Sequence, residues 1–147
     1  MILVDVNLLI YAIDRDSPHH KSARSWLERA LSGNEEVGLA WIVILAFLRV
    51  TTHPAIMRRP LKPEQAVEFV QSWLDQPFVS AIAPGEHHWP ILRNLLQASG
   101  TAGNLTSDAH LAALALEHGA VVCSADYDFR RFAGITHVNP LEPDDRD

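Results

Sequence analysis

The residues best placed to do chemistry are four aspartates that interrupt or abut apolar runs. Asp5 lies in ILVDVNLLIYA, Asp108 in GNLTSDAHLAALALEHGA, and Asp126 and Asp128 in VVCSADYDF. A carboxylate beside such a run is costly unless something compensates its charge. Carboxylates that converge on one spot commonly share a divalent cation, and an oxygen-rich, hydrated set suits magnesium or manganese. A cation held in that way is suited to hydrolysing a phosphodiester. Each aspartate alone also has an ordinary structural use. Asp5 can bond strand-end amides, Asp108 can be a first-turn helix acid, and Asp126 can cap a turn. Three separate segments that bring carboxylates to one place point to a metal instead.

The elements that must position them follow from pattern. ILVDV is a short strand that ends at Asp5, and residues 7–13 continue as a short apolar helix. Ser17 and Pro18 mark the cap and first position of a helix through KSARSWLERALS, closed by Gly33. Residues 36–40 read as a second strand, and residues 41–52 as a mostly buried helix that ends before Pro54. Another helix starts at Pro63. FVSAIA is a third strand, residues 86–98 an amphipathic helix, and SGTAGN a loop. Ser107 caps a helix through Glu117, AVVCSA is a fourth strand, DYDFRRF a helical turn, and ITHVN a weak fifth strand.

Strands that alternate with helices predict an α/β fold with a mainly parallel sheet. Sites in such sheets form beyond the carboxyl ends of the strands, where all four aspartates fall. On the Ser107 helix, Asp108, Leu111, Ala112 and Ala115 share one face by their spacing, so Asp108 points inward. By the same reasoning Trp26, Trp41 and Trp73 belong to the core, and Trp89 to the core or an interface.

Composition bounds the rest. The chain has 147 residues and is 48% hydrophobic, enough for one core and too short for two comfortable domains. One cysteine, Cys123, lies in an apolar run; it fits a reducing cytoplasm and reads as a small core thiol. No segment approaches the roughly 18 unbroken apolar residues of a membrane span, so no membrane partner is expected. The net charge of -6 is unevenly spread. Without the four aspartates and the tail residues Glu142, Asp144, Asp145, Arg146 and Asp147, ten acids face eleven bases. A nearly neutral body with Arg58–Arg59 and Arg130–Arg131 is compatible with a phosphate backbone.

On LVDVNLLIYA, WIVILAFLRVTTHP, GNLTSDAHLAALALEHG and VVCSADYDFRRFAGITHVNPL, the chain resembles a PIN-domain protein, and more narrowly a VapC-type toxin ribonuclease of a toxin–antitoxin pair. The resemblance implies a three-layer α/β/α sandwich over residues 1–141, with residues 142–147 an acidic tail. It implies a magnesium or manganese pocket, cleavage of single-stranded or loop RNA, and inhibition by a cognate antitoxin. Asp5, Asp108 and Asp126 match the family's metal-binding and catalytic acids, and Asp128 its auxiliary acid. Asn7, Ser124 and Asn104 match polar neighbours of the pocket. Homodimerisation is a further expectation.

One position departs from the pattern. Many PIN domains place a glutamate on the helix after the second strand, where this chain has Ala46. Glu117, nine residues beyond Asp108, lies on the opposite face of its helix and is no substitute. Asp14 or Asp16, in the loop after the first helix, are the remaining candidates to reach the rim. The mechanism expected is RNA hydrolysis by metal-activated water, with Asp5, Asp108 and Asp126 holding the ion. Two readings compete with it. His19–His20 or His87–His88 offer metal-free acid–base cleavage, and the Ala46 departure allows a weak or inactive module that binds RNA or an antitoxin.

Overall fold

The computed structural model describes residues 1–100 and 102–142. Five parallel strands form one sheet in the order β3-β2-β1-β4-β5. They are β1 (Ile2–Val4), β2 (Val37–Ala40), β3 (Val79–Ile82), β4 (Val121–Cys123) and β5 (His137–Val138). Six α-helices connect them: α1 (Val6–Ile13), α2 (His20–Ser32), α3 (Trp41–Thr51), α4 (Pro63–Leu74), α5 (His88–Ser99) and α6 (Thr106–His118). Right-handed crossovers put α1 to α4 on one face of the sheet and α5 and α6 on the other. This is the three-layer arrangement expected. The last residues of the acidic tail, 143–147, lie outside the described residues.

The central strands are short because they are wholly enclosed. Leu3, Val4, Leu39 and Val122 have no solvent exposure, as continuous apolar runs between two helical layers require. Gly38 lies where β2 meets its neighbours most closely, and a Cβ there would collide with the side chains of Leu3 and Ile82. One helical layer is pinned by Ala23, Leu27 and Leu31 of α2 and by Ala66, Val70 and Trp73 of α4. The Trp73 ring meets buried Phe47 edge-on, with centroids 4.9 Å apart. Truncating Phe47 to alanine would cost about 3–5 kcal/mol.

α6 is apolar nearly all round, with Ala109 and residues 111–115 buried. Gly119 ends it in the left-handed conformation (φ 64°), which returns the chain to β4.

Three expectations need correction. Ser17 does accept a bond from the His19 amide, but residues 17–20 form one tight turn and α2 begins only at His20. Ser107 is not the cap of α6. A 3-10 turn over Gly103–Leu105 winds straight into the helix, which starts at Thr106 with no side-chain cap. Trp41 is not a core residue. It opens α3 directly after β2 and is 50% exposed, because the buried face of α3 is formed by Val43, Ile44 and Phe47.

Candidate metal centre

The sheet order reverses between β1 and β4, and the crevice at their carboxyl ends is where the acidic side chains meet. Register decides the first pair. Val4 lies opposite Cys123, and the Asp5 amide continues the ladder by donating to the Cys123 carbonyl (2.9 Å). Asp5 and Ser124 therefore leave adjacent strands side by side.

Asp5 also caps α1, its Oδ1 accepting from the Val6 amide at 2.8 Å. Its Oδ2 accepts from Ser124 Oγ at 2.6 Å. Asn7 Nδ2 donates to Ser124 Oγ (3.1 Å) and, at 3.4 Å, to Asp5 Oδ2. Ser124 Oγ in turn accepts from the Asp126 amide (3.0 Å), and Asn7 Oδ1 accepts from the Ala125 amide (3.3 Å). Asp5, Asn7 and Ser124 thus form one network that dictates the path of the chain after β4. That path delivers Asp126, which caps the 3-10 turn Tyr127–Arg131 through the Asp128 amide (2.9 Å).

Asp108 arrives from the other helical layer, on the first turn of α6. Carboxylate oxygens of Asp108, Asp126 and Asp128 lie within 4.8 Å of one another. Asp5 is buried beside this group, and the two neighbours sense each other's charge. Burial, then Asp5, Asp126 and Asp128, raise the Asp108 carboxyl to about 6. Burial also raises Asp5, against the opposing bonds from Ser124 and Val6 and with a further push from Asp126. Half-buried carboxylates that repel one another in this way are stabilised by a cation placed among them. The donor set is all oxygen, which fits a hard divalent ion.

Asn104 lies apart from this network, exposed on the 3-10 turn ahead of α6. Asp14 and Asp16 do not join the cluster. Asp14 Oδ1 accepts from the Asp16 amide (3.0 Å), Asp16 pairs with Arg59 (3.5 Å), and all three line a different cavity. Glu117 faces away, as its spacing predicts. Its carboxylate accepts from the Gly85 amide (2.8 Å) and the His87 amide (3.2 Å). Those bonds satisfy the turn before α5 and explain why that helix starts at His88, two residues later than its sequence suggests.

The histidine pairs are engaged elsewhere. His20 Nδ1 lies 2.9 Å from the Tyr11 carbonyl, and the buried His88 ring shares a proton contact of 2.9 Å with His110. Burial pushes the Cys123 thiol up to about 12, which makes it an inert core group.

Two features escape a reading of motifs. His137 on β5 accepts from Arg130 Nε (3.3 Å) and donates through Nε2 to the Ser124 carbonyl (2.9 Å), bracing the end of β4 from the edge strand. Its spacing carries no signal, because the contact depends on strand pairing. The second feature is a cavity of about 570 Å³ that opens beside the acids. Asp5 and Asp108 line it together with Ala46, Ile42, Leu45 and Arg49 of α3.

The PIN domain family matches residues 2–135. Ribonuclease VapC37 of Mycobacterium tuberculosis is 45% identical over 140 residues, which cover 95% of this chain and 97% of that protein. Ribonuclease VapC48 of the same organism is 42% identical over 138 residues, 93% of this chain and 95% of its own length. Among solved structures, VapBC2 from Rickettsia felis, bound to a promoter DNA fragment, superposes with a TM-score of 0.70 at 21% identity, covering 95% of this chain and 98% of that one. Mycobacterium tuberculosis VapC20, described as a sarcin–ricin loop cleaving toxin, superposes with a TM-score of 0.68 at 18% identity, covering 95% of this chain and all of the other. Both structural likenesses concern the fold.

Proposed function

The chain belongs to the PIN-domain family, and on that premise we propose that it is a ribonuclease, the toxin of a type II toxin–antitoxin pair. The VapC ribonucleases that match it nearly end to end support the activity. The observation that carries the chemistry is the convergence of Asp108, Asp126 and Asp128 within 4.8 Å, on the side of the crevice where Asp5 is buried. We take residues 1–141 as one catalytic unit that works in the cytoplasm, where the single thiol Cys123 stays reduced.

In this reading Asp5, Asp108, Asp126 and Asp128 are the catalytic acids, and the ion is magnesium, with manganese able to replace it. Asp5 Oδ1 keeps a lone pair beyond its bond from Val6, whereas Oδ2 accepts from both Ser124 and Asn7, and through Oδ1 Asp5 is a ligand with Asp108 and Asp126. When bound, such a cation supplies Lewis acidity, activating water and offsetting charge on phosphoryl oxygens. The chain's own part is to hold the acids together in a half-buried crevice. Ser124 and Asn7 fix Asp5 and the turn that bears Asp126, and α6 carries Asp108 in from the opposite layer. Asn104 shapes the approach to α6.

The experiment is cleavage of a mixed RNA pool by purified protein in magnesium, with and without excess EDTA, against an Asp108→Asn control. Cleavage that disappears with EDTA and in the control is expected. Cleavage that survives chelation would transfer the activity to the histidines. No cleavage above the control would favour the second reading, a weak module that binds RNA or an antitoxin. That reading is motivated by Ala46, which faces the acidic cavity where a further carboxylate would otherwise stand.

A cognate antitoxin is the proposed protein partner. The groove it would enter has a volume of about 600 Å³ and is lined by α1, α2 and α4. Leu27, Leu31, Phe69 and Trp73 form its apolar wall, and Arg15 and Arg24 stand at its edge. A homodimer is proposed from the exposure of Trp41 and of Trp89, which is 63% accessible. Light scattering across a concentration series tests it.

A further inference from the structure

We propose that the cavity beside Asp108 seats a single unpaired nucleobase of the RNA, with Arg49 on the adjoining phosphate. The inference rests on the ribonuclease reading and adds to it a specificity site that the catalytic acids do not provide.

The buried side of α3 is supplied by Val43, Ile44 and Phe47. A second stripe, Ile42, Leu45, Ala46 and Arg49, is spaced by three, four and seven and so forms one continuous face. All four residues of that stripe line the cavity. A stripe of this composition normally faces a neighbouring element; here Leu45 is 59% exposed. Leu111 and Ser107 of α6 line it too, the latter adding a hydroxyl. At about 570 Å³ the space falls in the range of small-molecule sites.

The layout of charge selects the occupant. Asp5 and Asp108 line the cavity and, without a cation between them, repel an anion. Arg49 stands on the same stripe, and among the described residues no carboxylate pairs with it. A nucleotide answers both signs of charge. Its flat base lies between Ile42, Leu45 and Leu111, its edge meets the Ser107 hydroxyl, and its backbone phosphate meets Arg49. The scissile phosphate then falls at the acids. The methyl group of Ala46 leaves the floor apolar, as a base face requires. A paired base cannot enter, so the cavity selects loops and single strands whose bases are splayed out. A basic protein segment would be drawn to the acids but repelled by Arg49, which is why the nucleotide is favoured.

The test is calorimetric titration of the intact protein, in magnesium, with the four nucleoside 5′-monophosphates, ribose 5-phosphate and argininamide. At least one nucleotide should bind about tenfold more tightly than ribose 5-phosphate, the scale set by covering a base with aliphatic side chains. The advantage should vanish in the Ile42→Ala/Leu45→Ala double variant and persist in Leu45→Met. Equal binding of nucleotide and sugar phosphate, or binding of argininamide alone, overturns the proposal. A parallel cleavage assay separates it from the reading it rests on. RNA cleaved without regard to an abasic substitution next to the cut leaves the ribonuclease standing and removes the base site. Base-dependent nucleotide binding without any cleavage does the reverse.

Discussion

Ser124 Oγ donates to Asp5 Oδ2 at 2.6 Å, across 119 residues of sequence. The same oxygen accepts from Asn7 Nδ2 and from the Asp126 amide, so one fully buried hydroxyl joins the end of β1 to the turn after β4. Ser124→Ala should therefore act at a distance from the ion. It leaves a buried carboxylate short of a donor and should cost about 1–3 kcal/mol in denaturant unfolding. Manganese affinity should fall about 10–100-fold, as when partners that orient ligands are lost. Ser124→Thr should restore most of both. An alanine variant with wild-type metal affinity would show that the network is only structural.

Asp108 yields a prediction about pH. Its carboxyl is raised from 3.8 to about 6 by burial and by three neighbouring carboxylates. A raised carboxyl binds its proton more tightly in the folded state. Its contribution to stability is complete below 3.8 and is lost as pH rises through about 6. Metal-free protein should thus be less stable at pH 7.5 than at pH 5, and Asp108→Asn should recover about 1–2 kcal/mol at pH 7.5, after allowance for solvent screening. Magnesium should stabilise the wild type at pH 7.5 and leave the variant unchanged. Thermal melts at the two pH values check all of this.

Glu117 separates stability from activity. Glu117→Ala strips the Gly85 and His87 amides of their acceptor and should cost about 1–3 kcal/mol. Its carboxyl is held below the ordinary 4.5 chiefly by the Gly85 bond, so this stabilisation is complete above 4.5 and is lost as acid titrates the group below that value. RNA cleavage at neutral pH and below the melting temperature should match wild type. Reduced cleavage with unchanged stability would contradict the placement of Glu117 outside the catalytic crevice.

Ala46→Glu tests the departure from the family pattern. The new carboxylate enters the cavity already lined by Asp5 and Asp108. Metal-free protein should become less stable as like charges crowd, and manganese affinity should rise on the order of tenfold with the added ligand charge. Electron paramagnetic resonance of bound manganese reads the affinity directly. Unchanged affinity would place residue 46 out of reach of the ion.

Much of this protein was legible in its sequence. Apolar runs closed by aspartates predicted strands ending at one rim, and β–α alternation predicted a parallel sheet, because both depend on periodicity within a few residues. Capping was less legible. Ser17 and Ser107 are chemically suited to start helices, yet α2 begins later and α6 earlier, since tight turns of the backbone had already used or bypassed those hydroxyls. Trp41 was misplaced because the spacing of a nearly all-apolar helix does not say which face the sheet covers.

What the sequence determined by itself was the supply of groups: four carboxylates, their order, and the local elements that carry them. Tertiary structure alone decided which of their oxygens approach each other. The strand order sets β4 beside β1, so Ser124 reaches Asp5, and the crossover to the opposite layer brings Asp108 to Asp126 and Asp128. The same folding opens the cavity along Ile42, Leu45, Ala46 and Arg49. Local pattern is written in bonds a few residues apart, whereas distances across a hundred residues are fixed by sheet register and packing, which no single segment encodes.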